Sequence, residues 1–190
     1  MAGELRVEPG TLLAAYPDML DPNFMHSVVL MCQHSEQGAY GLVTNRPTTL
    51  TLKNLLPEHP VLRASRFPVF LGGPVDPTTL QFVHVAPEEI PGGVSLDGRL
   101  WLGGELERLA EFVTARPRLA RRKLRLFLGY AGWGEGQLEG ELTGGSWLPA
   151  PPSHAAIFGA PGEGTWRRVV QSVGRLGDTL KDQPPDVSWN

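Results

Sequence analysis

Reactive cysteine is almost missing from this 190-residue chain: Cys32 is the only one. It cannot form an intramolecular disulfide, so the expected compartment is a reducing cytoplasm. Long apolar runs are missing too. The longest, Val28 to Cys32, falls far short of the roughly 20 residues that cross a bilayer, and no membrane association is expected. Met1 to Arg6 lack a basic segment leading into an apolar one, so no signal peptide is expected. The five histidines (His26, His34, His59, His84, His154) show no paired ligand spacing, which predicts no metal site. The chain has no Gly-x-Ser-x-Gly elbow, no Gly-x-Gly-x-x-Gly and no Gly-Lys-Ser/Thr ending. Those absences remove the usual hydrolase and phosphate-loop signals, and no cofactor is expected.

What is present describes a folded chain. Hydrophobic residues make up 41% and charged residues 19%, enough for a core and too little charge for a disordered polyelectrolyte. The net charge of -3 gives no global pull toward nucleic acid. Gly (23) and Pro (18) are scattered without a period, which predicts many turns and short strands.

The apolar runs place the elements. Thr11–Ala15, Ser27–Gln33, Tyr40–Asn45, Pro68–Leu71, Leu80–Val85, Lys123–Tyr130 and Trp147–Leu148 read as strands. Pro47 is expected to end the third of them, because it offers no ladder donor. Val94–Leu102 reads as a hairpin about a type I′ turn at Asp97-Gly98, or as a loop before one strand. Helices are predicted over Leu52–Leu56, Glu105–Val113 (stopped by Pro117), Gln137–Leu142 and Thr165–Val173. Seven or eight strands and three or four helices, with more hairpins than crossovers, predict an α+β fold. Residues 1–180 are expected to form a single domain, and 181–190 a flexible tail.

Three segments carry a resemblance. They are Asp21-Pro22-Asn23-Phe24 with Ser27–Leu30 and Gly38–Pro47; then Leu71-Gly72-Gly73-Pro74-Val75; then Gly129–Leu142 with Gly145-Ser146-Trp147-Leu148. In this order and spacing the chain resembles the YqgE/AlgH family over about Gly10 to Gly174. The resemblance implies a bifurcated mixed or antiparallel sheet curled into a pseudo-barrel, with helices packed outside. It also implies a cytoplasmic bacterial protein of a family often labelled transcriptional regulators, with no agreed enzymatic mechanism.

Candidate sites follow from the motif loops. Asn45, Arg46 and Pro47, and Gly72 and Gly73, follow strands, and loops at strand ends commonly carry ligands. If they converge with Trp133, Gln137, Glu139 and Glu141, they form one polar cleft for a protein or small-molecule partner. In that cleft Arg46 supplies a cation and Trp133 a stacking face. The alternative is that Arg46 pairs with Glu139 or Glu141 and the cluster braces the fold. Cys32 in an apolar strand reads as a buried thiol; a reactive one would need exposure and a base such as His34. Arg116, Arg118, Arg121, Arg122, Lys123 and Arg125 form a basic run that could hold phosphates. No helix-turn-helix or interleaved aromatic accompanies it, which weighs against specific nucleic-acid binding. The expected function is thus a non-enzymatic regulatory or interaction protein. A nucleotide- or small-molecule-binding enzyme or sensor and a DNA-binding regulator are the alternatives.

Overall fold

Hairpins build the first half of the molecule, whose computed structural model describes residues 6–173. The expected tail at 181–190 lies outside the described residues. The elements run β1 (Leu12–Ala15), β2 (Val28–Ser35), β3 (Gly38–Val43), β4 (Pro47–Thr51), α1 (Leu52–Leu55), β5 (Pro68–Leu71) and β6 (Val75–His84). They continue with β7 (Val94–Ser95), β8 (Trp101–Leu102), α2 (Leu106–Ala115), α3 (Pro117–Lys123) and β9 (Leu124–Trp133). The chain closes with α4 (Gln137–Thr143), β10 (Trp147–Ala150), α5 (His154–Phe158) and α6 (Glu163–Gln171). This is an α+β fold around one large, mostly antiparallel sheet, ordered β10-β1-β2-β3-β9-β6-β8-β7. No ladder joins β10 to β7 among the described residues, so hydrogen bonding leaves the sheet open.

Apolar runs become strands buried on both faces. In β1, Leu12 and Ala14 join the cluster under α5 and α6, where Trp166, Val169 and Val170 pack. Leu13 and Ala15 alternate to the opposite face with Trp133, Leu138 and Trp147, as a period of two requires. Val28, Leu30 and Cys32 of β2 likewise oppose Val29 and Met31. A third cluster packs Leu109, Phe112 and Val113 of α2 onto Val69, Phe82 and Leu126. Trp166 fixes α6 further by donating its indole N–H to the Ala15 carbonyl at 2.8 Å.

The sheet branches at β9. Leu126, Phe127 and Leu128 pair with β6 on one edge and, in parallel, with Val69, Phe70 and Leu71 of β5 on the other. Beyond that point Ala131, Gly132 and Trp133 pair with Gly41, Tyr40 and Ala39 of β3. At the fork, Gly72 N–H donates to Leu128 O at 2.7 Å, and Gly72 O accepts from Val43 N–H at 2.8 Å. Gly73, at φ +151°, lies against the Tyr130 carbonyl, so a Cβ there would collide with backbone.

Several sequence expectations need correction. β3 already ends at Val43, and Pro47 opens β4 instead of closing a strand. This is an edge strand that pairs β5 alone, a place where a missing N–H is tolerated. Pro117 does close α2, but it also starts α3 at a first-turn position, where proline's missing donor costs nothing. The Val94–Leu102 hairpin exists, yet Ser95 pairs with Trp101, leaving five residues in the loop and no type I′ turn. Asp97 Oδ1 instead accepts from the Arg99 and Leu100 N–H groups at 2.9 and 2.8 Å. The short helix α5, capped by Ser153 Oγ on Ala156 N–H, was not anticipated.

Gly73→Ala is expected to destabilise the protein by at least about 2 kcal/mol. The midpoint of denaturant unfolding checks this; an unchanged midpoint would show that the fork tolerates a side chain.

Candidate functional site

The Asp21–His26 loop is turn-rich because Pro22, Asp21 and Asn23 favour it, and Asp21 Oδ1 accepts from Asn23 N–H at 2.8 Å. Arg46 clamps this loop. Its Nη1 donates to Pro22 O and its Nη2 to Met25 O, both at 2.9 Å. Asn45 is buried beside it. Its Oδ1 accepts from Val28 N–H at 2.9 Å, and its Nδ2 donates to His26 O at 2.9 Å and to Gly162 O at 3.4 Å. The loop, the Asn45–Thr48 corner, Leu71 and the start of α6 enclose a hollow of about 550 Å³. Burial lowers the pKa of Arg46, with nearby Asp21 opposing, yet the guanidinium makes no ion pair among the described residues. His26 stands in the left-handed region at φ 53°. Its ring leans on Trp166 with centroids 4.6 Å apart, and its Nδ1 lies 4.0 Å from Glu163. Burial lowers its pKa, with Glu163 opposing.

The third motif block folds onto itself. Glu141 accepts both indole N–H groups, from Trp133 at 2.8 Å and Trp147 at 2.7 Å, and the Gln137 amide at 3.0 Å. Gln137 Oε1 takes the Gly134 N–H at 3.0 Å. Phe24 packs on both indoles, with ring centroids 6.4 and 5.6 Å away. Glu139 accepts from His34 Nε2 at 2.7 Å, while His34 Nδ1 meets the Val7 carbonyl at 2.8 Å. Both ring nitrogens therefore face acceptors, a geometry that selects the doubly protonated imidazolium. The Val7 carbonyl raises the His34 pKa against desolvation, and Glu139 adds to the rise.

The candidate residues thus separate. Asn45, Arg46 and Pro47 line the first hollow. Trp133 lines another, with Tyr40, Val75 and Tyr130. Gly72 and Gly73 line neither; they are buried at the fork. The expected shared cleft is not formed, because the Asp21–His26 loop lies between its parts, Arg46 holding its backbone and the indoles its Phe24. Arg46 pairs with neither Glu139 nor Glu141 but with carbonyls. Residues missed in the sequence are His26, Leu71 and Glu163, which reach the hollow from three distant elements.

An AlgH-like family profile matches residues 12–176. A UPF0301 protein of Chlorobium limicola is 36% identical over 170 residues, covering 89% of this chain and 88% of the relative. The chain belongs to the AlgH-like family. Another UPF0301 protein, from Anaeromyxobacter dehalogenans, is 40% identical and covers 87% of each chain. The solution structure of AlgH from Pseudomonas aeruginosa superposes with a TM-score of 0.72 at 31% identity, covering 97% of this chain and 98% of that one. A Corynebacterium diphtheriae protein gives a TM-score of 0.73 at 25% identity, covering 95% and 94%.

In this AlgH-like chain the thiol is buried, as its apolar strand predicts, and one arginine of the basic run is buried too. Cys32 is buried, its Sγ 3.7 Å from the Leu30 carbonyl, and burial pushes the thiol up to about 12. His34, the base that a reactive thiol would have needed, faces Val7 and Glu139. In the basic run Arg125 is buried. It lies 4.1 Å from the Phe70 ring centroid and donates to Thr44 O and Gly159 O at 3.3 and 2.8 Å. Desolvation lowers its pKa to about 10. The run therefore offers the surface fewer charges than its sequence suggests, and α3 carries most of them.

Native Cys32 should react with a thiol reagent at pH 8 at least about a hundredfold more slowly than the unfolded chain; comparable rates would contradict the burial. His34 gives a pH signature. Its raised pKa adds stability below 6.5 that is lost as pH climbs through the folded value, and Glu139's lowered pKa adds stability above 4.5. The pair is fully present between those values. Because Glu139 is half exposed, the loss above 6.5 should stay under about 1 kcal/mol. Unfolding curves across pH for wild type and His34→Gln test this, the variant having a flatter profile.

Proposed function

We propose that this chain is a non-enzymatic interaction or regulatory protein of the bacterial cytoplasm, working through the Arg46 hollow, with residues 1–180 as one unit. The observation that carries this reading is Arg46 itself. It is half-buried, held in place by two carbonyls and without an ion pair among the described residues. A cation fixed at the wall of a hollow is a ready docking point. Asn45, Gln137 and Glu141 have their polar atoms engaged within the fold, so they brace the surface and Arg46 presents it. Leu71, 37% exposed at the rim, supplies an apolar contact beside the charge. Regulation in this reading acts through a bound partner and not through DNA, since the basic run has lost Arg125 to the interior.

A second reading, a small-molecule sensor in the same hollow, is favoured by His26. A non-glycine residue held at φ 53° is a local strain of the kind that gathers at ligand sites.

Thermal-shift screening of the whole chain against metabolites and peptides, followed by amide-resolved NMR, tests both readings. A selective ligand should raise apparent stability and perturb Leu71 and Gly162, and Leu71→Asp should abolish the effect. Chemical turnover of the ligand would overturn the non-enzymatic reading. Binding that maps to Tyr40 and Trp133 and ignores Leu71→Asp would overturn the choice of hollow.

A further inference from the structure

The geometry points to an aliphatic carboxylate as the group this hollow takes: the carboxylate on the free N–H groups of Arg46, its carbon chain against Met25, Pro47 and Leu71. This rests on the hollow being the working surface and adds the chemistry of the ligand.

A guanidinium has five N–H donors. Two of its nitrogens donate to Pro22 O and Met25 O, and the other three N–H groups have no partner among the described residues. Those carbonyl bonds also fix the plane of the guanidinium, so little side-chain freedom is lost on binding. A planar carboxylate matches a planar guanidinium through two parallel hydrogen bonds. Two other polar side chains of the lining are occupied: Asn45 holds Val28, His26 and Gly162, and the Thr48 hydroxyl donates to the Val69 carbonyl at 2.7 Å.

Charge sets the valence of the ligand. Asp21 is close enough to Arg46 to act on it, and Glu163 and Arg167 act on His26. Among the described residues Arg46 is the one arginine or lysine in the lining, and Glu163 is an anion in the same lining. Asp21 and Glu163 already oppose that one cation, so the smallest anionic charge, a single carboxylate, is the one the site tolerates best. A dianionic phosphate would be repelled about twice as strongly by the same two carboxylates. The remaining lining explains the aliphatic part. Pro22, Met25, Pro47 and Leu71 give the hollow an apolar side, which favours carbon next to the charged group over a bare inorganic ion. A free peptide C-terminus ending in an apolar residue and a small aliphatic acid share this chemistry.

The test is an NMR titration of the full chain at constant ionic strength with five probes. They are butyrate, butyramide, N-acetyl-Ala-Leu, its C-terminal amide, and inorganic phosphate. The two acids should shift the Leu71 and Gly162 amides and the Arg46 Nε–H, while both amides and phosphate leave them in place. Tighter binding of the peptide acid than of butyrate assigns the site to a C-terminus; the reverse assigns it to a free acid. Arg46→Gln should weaken acid binding roughly tenfold or more. Since that change also frees the Pro22–Met25 loop, Leu71→Asp serves as the second variant. It keeps the clamp, sets a fixed negative charge at the rim, and should weaken acid binding by a similar factor. Acids that bind no better than their amides, phosphate that binds as well as the acids, or affinities unchanged in both variants would overturn the inference. If another ligand still perturbs Leu71 and Gly162, the carboxylate assignment falls and the interaction surface stands. If every ligand maps elsewhere, both fall.

Discussion

A β-strand has two hydrogen-bonding edges, and β9 must serve three partner strands. It does so by giving one edge to β6 and dividing the other between β5 and β3. The changeover needs chain segments to pass at backbone contact, which is why Gly72 and Gly73 lie opposite Gly129 and Tyr130. The position of the candidate site follows from this division. Where β3 leaves β9, the Thr44–Arg46 corner must wrap the end of β5, and Leu71 N–H donates to Arg46 O at 2.9 Å. Arg46 and Leu71 are therefore neighbours because the sheet splits. The hollow is a by-product of the fork.

The sequence was most legible where periodicity and packing agree. Trp166, Val169 and Val170 at helical spacing became the buried stripe of α6, and the apolar run Val28–Cys32 became a strand covered on both faces. Proline was read too narrowly. Pro117 ends α2 and begins α3, whereas Pro47 only begins β4; a first helical turn and an edge strand both tolerate a missing donor. The motif residues stand out in the sequence, but binding and bracing roles look the same there. Glycine at 72 and 73 signals close backbone approach, and the sequence cannot say whether a ligand or a neighbouring strand makes it. Spatial convergence was the least legible property. That Phe24, Trp133 and Trp147 meet while Arg46 reaches Pro22 and Met25 depends on long-range pairing between β3 and β9, which no local pattern encodes.

Two arginines illustrate how charge is accommodated. Neither Arg46 nor Arg125 has a carboxylate partner among the described residues; both bind main-chain carbonyls instead. For Arg125 the Phe70 ring adds an electrostatically favourable face, and its two carbonyl contacts tie β9 to the end of β3 and to the α5–α6 connection. Burial therefore makes it a structural tie. Arg46 differs in facing a hollow, and that one difference in surroundings separates the scaffold cation from the candidate binding cation. Glu141 is the counterpart of opposite sign: an acid kept at the surface of the fold by two indoles and an amide.

The Asp21–His26 loop touches both ends of this arrangement. Its backbone is gripped by Arg46, and its Phe24 ring sits against Trp133 and Trp147. The grip at Pro22 and Met25 and the seat of Phe24 are thus within two residues of each other along one loop. Indole emission responds to the polarity and packing around the ring, so Trp133 and Trp147 are placed to report whether Phe24 keeps its seat.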